Sequence, residues 1–313
     1  MDETVIVGAG ISGLECALKL TGNGKKVTVL EKSRGLFGRF SARRINGQDF
    51  FKGVNGFEFN QPAIAELFKQ CIDSIKNDHI DLETKEEFLN NLTQSRVVFN
   101  FKNTKIRDQL KERYSKINVL KSTRLIEIIK NEDVSELVLE EFHPTDPVIK
   151  RIKASRVVFA LPVPQVLNSI KGIENFLNGQ DLNRYQNVKY HKDCLICFSD
   201  KGKVSEALNL KELEMVRLSS QQDIGIFRYK DSIAESLESK SMALELLGEI
   251  GIHEDETTHI HFWRYSQVSN SIQENFGKFG DHNLYLIGDS FGGGGFNGAY
   301  LSGITLAKHL LEF

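Results

Sequence analysis

Gly8, Gly10 and Gly13 stand as Gly-x-Gly-x-x-Gly between an apolar run, Thr4 to Val7, and Leu14, Ala17 and Leu18 at helical spacing. Gly22-Asn-Gly24 then breaks the helix, Val27 to Leu30 reads as a second strand, and Glu31 follows 18 residues after Gly13. Strand, glycine turn, helix, strand and acid in that order are the parts of a dinucleotide site. Gly8 permits the tight turn, and Gly10 lets the backbone approach a pyrophosphate. Ile11 and Ser12 open the helix whose N-terminus faces that anion, and Gly13 lets helix and strand pack closely. Glu31 accepts hydrogen bonds from ribose hydroxyls. An acid there favours a free ribose, because a 2′-phosphate would be repelled.

Other residues with chemical potential group less well. Cys194 and Cys197 form a C-x-x-C within an extended run, where positions i and i+3 face opposite sides of a sheet. With no second ligand pair, they read as buried structural cysteines. His259, His261, Trp263 and Tyr265 alternate, which places all four on one strand face and Arg264 on the other. A metal would need a third ligand that no spacing supplies, so no metal site is expected.

The elements that must position these residues are carried by 313 residues, enough for one large or two interleaved domains. Apolar residues make up 40%, sufficient for a core, and 40 basic residues face 42 acidic ones. That balance argues against a nucleic-acid or membrane surface. No stretch approaches the roughly 18 apolar residues that span a bilayer. The first strand begins after Met1-Asp-Glu3, and four cysteines without framework spacing fit a reducing compartment, so a cytoplasmic protein is expected. Pro62 opens a helix through Ile64, Leu67, Phe68, Cys71, Ile72 and Ile75, a polar region covers Asn77 to Asn91, and Val97 to Phe101 reads as a strand. Ile106, Leu110 and Tyr114 mark a further helix. Val134 to Phe142 and Val148 to Ala160 read as hairpin strands, the second stopped by Pro162 and Pro164, which lack N–H donors. Near the other end, Asn283 to Asp289 is an apolar strand closing in Gly288-Asp289. A glycine-rich turn, Ser290 to Gly295, and a helix from Phe296 follow.

Several of these strings resemble one family. Glu31-Lys-Ser-Arg-Gly35 followed by Gly38, Arg39 and Ala42-Arg-Arg44 is similar to the second phosphate-contacting stretch of flavin amine-oxidase-type proteins, most of all the small renalase-like members. The run Arg156 to Pro164, the string His261-Phe-Trp-Arg-Tyr265 and the closing GDSFGGGGFNGAYLSG resemble further landmarks of that group. The resemblance covers about half the chain. It implies an α/β fold: a discontinuous, Rossmann-like FAD-binding domain (1-55, 102-165 and 280-313) with an inserted α+β substrate domain (56-101 and 166-279). Non-covalent FAD would be held by Gly8, Gly10, Ile11, Ser12, Gly13, Glu31, Lys32, Gly38, Arg39 and Arg43. It would also meet the backbone near Leu125, Pro162, Gly288 and Asp289, and Phe296, Asn297, Gly298 and Ala299 at the closing helix. Arg39 would pair with a diphosphate oxygen, Asp289 would meet the phosphate–ribityl region, and the helix N-terminus would face the flavin N1–C2=O edge. Asn55, Trp263 and Tyr265 would line the substrate pocket. The chain departs from the pattern at Phe37, where glycine is usual, at Phe51, where an aspartate is usual (Asp49 lies two residues earlier), at Phe262, and at Gly294 in place of an arginine.

The implied activity is an FAD-dependent oxidase that takes a hydride from a small molecule and passes the electrons to dioxygen. By the renalase likeness, that substrate is a dihydronicotinamide dinucleotide, a mis-reduced isomer of NAD(P)H. Two alternatives stay open: oxidation of an amine or C–C bond in a small metabolite, and a catalytically degenerate FAD-binding module. No nucleic-acid or membrane partner is expected.

Overall fold

The computed structural model describes residues 3–45, 48–51, 53, 56–75, 80, 82–99, 105–131, 135–219, 221, 223–280 and 282–312, without the side chains of 43–51, 82 and 107. Its centre is a six-stranded sheet in the order Gly277–Lys278, Leu284–Leu286, Arg156–Phe159, Glu3–Val7, Lys26–Leu30 and Val119–Leu120. All neighbours pair in parallel except the first, an antiparallel edge. The central strand is apolar on both faces because both are covered. Ile6 and Val158 point into one core, and Val5, Val7, Val157 and Phe159 into the other. The chain is therefore a mixed α/β protein built on a Rossmann-like parallel sheet.

Helix Ile11–Gly22 and the closing helix Gly295–Leu311 cover the first face. They cross so closely that a Cβ at Gly303 would lie 2.3 Å from the Ser12 carbonyl oxygen. Helices Pro62–Asp73 and Lys105–Arg113 join the same core, as the apolar spacing predicts. The polar region after Asn77 holds a further helix, Leu82–Thr93, that its low apolar content concealed. Among its described side chains, only Thr84, Phe88 and Leu92, one turn apart, are buried. The second face is covered by an antiparallel meander, Thr123–Lys130, Ser135–Glu141 and Val148–Ala154. Ile170, Ile173, Phe176, Tyr185 and Val188 pack into that same core, so the chain stays against the nucleotide sheet until Tyr190.

The inserted unit is a four-stranded antiparallel sheet in the order Leu213–Leu218, Gly225–Tyr229, Tyr190–Phe198 and Thr258–Val268. Cys194, Ile196 and Phe198 face helices Lys201–Ala207, Asp231–Ser236 and Lys240–Glu249, while Leu195 and Cys197 face the other way. The two thiols therefore diverge, as strand geometry requires. Among the described residues, no helix is long and apolar enough to cross a membrane.

Candidate dinucleotide site

The glycine turn folds as its spacing dictates. Gly8 has φ 108°, open to glycine at little cost, and a Cβ there would meet the Ala160 carbonyl oxygen at 2.6 Å. A Cβ on Gly13 would come within 2.1 Å of the Gly8 carbonyl oxygen, so this glycine sets the approach of helix to strand. Gly10 differs from both. Its backbone is extended (φ −74°, ψ 176°) and an added Cβ would meet nothing within 4 Å. Open space thus lies over the start of the first helix, where the pyrophosphate is expected.

That helix has Gly10 as N-cap, no side-chain cap and no acid in its first turn. The closing helix has the same character: its N-cap is Gly294, with no side-chain cap and no first-turn acid. Helices Gly179–Gln186, Lys201–Ala207 and Lys240–Glu249 by contrast are capped by the side chains of Asn178, Asp200 and Ser239. The first N–H groups of a helix have no partner within it. Among the described residues, those of Ile11, Ser12 and Gly13, and of Gly295, Phe296 and Asn297, find no acceptor elsewhere. The turn that leads into the closing helix passes the first uncapped end, since a Cβ on Gly288 would lie 4.0 Å from the Ser12 hydroxyl and 3.9 Å from the Leu161 carbonyl oxygen. The closing helix meets Ser12 at Gly303, eight residues inside it, so its own uncapped end stands about 12 Å further along. Gly293 and Gly295 also leave open space.

Glu31 ends the second strand with its carboxylate accepting from the Ala9 N–H (2.9 Å) and the Ser33 N–H (2.7 Å). The Thr123 N–H donates to the Glu31 carbonyl (2.9 Å), which brings the Leu125 backbone to the same end; the Leu125 side chain is in the core. Lys32 is exposed. Pro162 is the N-cap of a short helix, Val163–Ser169, directly after the central strand. Phe37 keeps the loop on its path: it adopts the left-handed conformation (φ 79°) that a glycine would take there, and its N–H donates to the Ala9 carbonyl (2.8 Å). For a non-glycine residue this costs about 1–2 kcal/mol. Burial of the ring against Phe40 and Tyr114 offsets the cost. Gly38 follows, exposed and close to the Gly10 Cα.

Arg39 and Asp289, 250 residues apart, are joined by two hydrogen bonds, Nη2 to Oδ1 (2.6 Å) and Nη1 to Oδ2 (2.7 Å). Arg39 Nη1 also donates to the Ser266 carbonyl (2.8 Å), and the Tyr190 hydroxyl donates to Asp289 Oδ1 (2.8 Å). Burial works against the Arg39 charge, but Asp289 more than offsets it and holds the guanidinium above its ordinary pKa. Burial, reinforced by the Asp289 charge, pushes the Tyr190 phenol up, so it stays a proton donor. Arg39 uses three of its five N–H groups in these bonds, which leaves two for an incoming oxygen. The pair also neutralises Asp289, so the acid does not repel an anion at the groove.

At the closing helix, the Phe296 ring stacks on Phe57 (4.0 Å between centroids, 10° between planes), so it can offer a ligand only its backbone. Gly298 packs against the Phe291 carbonyl oxygen, 2.3 Å from where a Cβ would stand, and Ala299 is half-buried beside it. Asn297 donates from Nδ2 to the Glu58 carbonyl (3.2 Å), while its Oδ1 is buried without a partner. Buried acceptors left unpaired cost about 1–3 kcal/mol, so this oxygen suits a ligand N–H or a water.

The alternation expected from His259 to Tyr265 is interrupted. Between Trp263 and Gln267 the strand carries two more residues than its partner between Asp193 and His191. This bulge turns the Ser266 carbonyl onto Arg39 and the Tyr265 ring onto Tyr190 (5.7 Å). Trp263 packs on the helix-free face of the cap sheet and meets His261 at 4.2 Å. His259 is buried, with its Nδ1 3.1 Å from Glu254. Asn55 lies outside the described residues, and the side chains of Arg43, Arg44, Asp49 and Phe51 lie outside the described side chains. A cavity of about 860 Å³ lined by Arg34, Phe37, Lys105 and Lys121 lies beside the 34–42 loop. It takes in none of the glycine-turn or closing-helix residues. The sequence reading missed Tyr190, Ser266 and Ser290, whose hydroxyl is 2.7 Å from that of Tyr190. None of the three carries a spacing signal.

The family model for an NAD(P)-binding Rossmann-like domain matches residues 6–71. No curated protein matches the chain. Among solved structures, a CLA-producing fatty acid isomerase from P. acnes superposes with a TM-score of 0.62 at 10% identity, over 98% of each chain. A protein from Exiguobacterium sp. 255-15, a protoporphyrinogen oxidase by assignment only, superposes with a TM-score of 0.59 at 14% identity, over 100% of this chain and 99% of its own. At such identities the likeness is one of fold, and it extends over the whole chain: a Rossmann-like nucleotide domain interrupted by a second unit.

Proposed function

We propose that the chain is an FAD-dependent oxidoreductase that accepts a hydride from a small-molecule substrate, with a dihydronicotinamide as the substrate class and dioxygen as the acceptor. The observation that carries the reading is that the Gly288-Asp289 turn, from the far end of the chain, lies beside the uncapped end of the first helix, is tied to Arg39, and leads into a second uncapped helix end about two turns away. A diphosphate suits the first, with its free N–H groups and Gly10 opening, and an electron-rich ring edge suits the second. A flavin dinucleotide carries both features in one molecule. Bound FAD would supply the redox chemistry, taking up a hydride and returning its two electrons and one proton to O2, which leaves as H2O2 with a second proton from solvent.

The protein's part is to hold and orient. Glu31 accepts from ribose hydroxyls, Arg39 offers its two remaining N–H groups to a diphosphate oxygen, and the Asn297 oxygen accepts an N–H at the closing helix. The N–H groups of Gly295 to Asn297 stabilise negative charge that develops near them. A protein that emerges yellow, with flavin absorbance bleached anaerobically by dihydronicotinamides and restored by air with formation of peroxide, would support the reading. Purified protein that stays colourless and does not take up added FAD would refute it. Peroxide formed from amines and not from dihydronicotinamides would move the substrate to the amine class.

A further inference from the structure

The ring contacts that begin at Asp289 continue past Tyr190 along the cap sheet. Tyr190 meets Tyr265 edge-on, and two residues earlier Trp263 meets His261. Trp263 stands directly opposite Asp193, at the edge of the bulge. Bulges re-aim side chains and are common beside active sites. Trp263 and Asp193 share the sheet face turned away from the three cap helices, because directly paired residues of adjacent strands lie on one face. Far from the groove that face is closed, with Leu195, Cys197 and Ile226 at most 2% exposed. At the end nearest Tyr190, the residues Asp193, His261, Trp263 and Tyr265 are only half-buried, so a small molecule can reach them.

The Asp193 carboxylate has no ion pair among the described residues, and the Cys194 N–H beside it favours its charged form. Arg228, whose charge it feels, is engaged by Glu214 (3.3 Å) and Asp231 (3.4 Å). Burial pushes the Asp193 pKa up against the pull of Arg228. A partly desolvated acceptor with spare lone pairs therefore stands directly across the strand pair from Trp263.

We propose that Asp193 and Trp263 form a substrate-recognition pair that takes an N–H-bearing group, a carboxamide or an ammonium, carried on a flat ring. The ring lies against the indole, the N–H donates to the carboxylate, and anionic groups are repelled. Naming this as the substrate side rests on the proposed function; the binding chemistry does not.

Trp263 is the chain's one tryptophan, so its fluorescence reports this place alone. The purified protein, with whatever cofactor it holds, is titrated with nicotinamide, benzylammonium and benzoate. Saturable change with nicotinamide or benzylammonium, and none with benzoate, is expected; the tighter of the two identifies the N–H source. Asp193→Leu should weaken binding about 10-fold or more, the loss of one hydrogen bond to a charged group. Asp193→Asn, which keeps an acceptor, should weaken benzylammonium far more than nicotinamide. Benzoate binding as tightly as the others, unchanged affinity in both variants, or no response to any probe would overturn the proposal. Probe binding by a colourless protein would sink the flavin reading and leave this pair standing, while a yellow protein that ignores every probe would do the reverse.

Discussion

Replacing Gly10 by alanine separates binding from folding. Its backbone lies in a region open to any residue, and the new methyl meets nothing within 4 Å. Removing a glycine from the unfolded chain gains about 0.4–1 kcal/mol. Alanine is a poorer N-cap than glycine by a similar amount, up to about 1 kcal/mol. The two nearly cancel, so Gly10→Ala should melt within a few degrees of the parent when no ligand is added. The methyl stands, however, where a pyrophosphate must approach the backbone. Losing one charge-assisted hydrogen bond to a helix N–H costs about 1.5–3 kcal/mol, which weakens the Kd about 10- to 100-fold. Gly13→Ala should behave in the opposite way. Its methyl would sit 2.1 Å from the Gly8 carbonyl oxygen and 3.0 Å from the Ala160 Cβ. Such overpacking costs about 1–3 kcal/mol or more, and the melt should fall before any ligand is added. Thermal melts of the ligand-free proteins, paired with FAD titrations followed by flavin fluorescence, give both quantities. Gly10→Ala protein that melts normally and binds FAD as tightly as the parent would refute the placement of the pyrophosphate.

Asp289→Ala leaves Arg39 partly buried without its carboxylate and removes the Tyr190 acceptor, and should cost about 3 kcal/mol in urea unfolding; an unchanged midpoint would show that the pair is not a structural link. Phe37→Ala loses the ring and keeps the left-handed strain, whereas Phe37→Gly loses both the ring and the strain, so the glycine variant should be the more stable by about 1 kcal/mol in the same assay. The Lys26 hydrogen bond holds the Glu3 carboxyl below its ordinary pKa, and Lys240 does the same for Glu254 against the opposing effect of burial. Depressed carboxylates contribute stability that is present above the ordinary glutamate value and lost as pH falls through the folded one. The melting temperature should therefore fall on acidification below about pH 4.5, the ordinary value, and Lys26→Met should flatten that fall.

The dinucleotide half of the site was legible in the chain because its parts are local. Gly8, Gly10, Gly13 and Glu31 belong to one strand–turn–helix–strand unit, and each glycine answers to a clash or an approach inside that unit. The Gly288-Asp289 turn and the helix after it were legible for the same reason. Strand periodicity also placed Cys194 and Cys197 on opposite faces without any knowledge of what covers them. Even the departure at Phe37 was visible as an oddity, though only the fold shows that its ring, packed on Tyr114, holds the backbone in a glycine's conformation.

Contacts that cross the chain were not legible. Arg39 and Asp289 each carried a ligand role by resemblance, and nothing in either neighbourhood announced that they bond to one another or that Tyr190 and Ser266 complete the cluster. Helix Leu82–Thr93 escaped because its few apolar residues count only when another core receives them. The bulge opposite Asp193 is a mismatch between two strands, a property of their pairing that neither strand holds alone. Local spacing determined which backbone a dinucleotide can approach. Only the folding of distant segments onto one another decided which side chains surround it, because a hydrogen bond or a packed ring requires two partners and the chain order records neither their meeting nor its geometry.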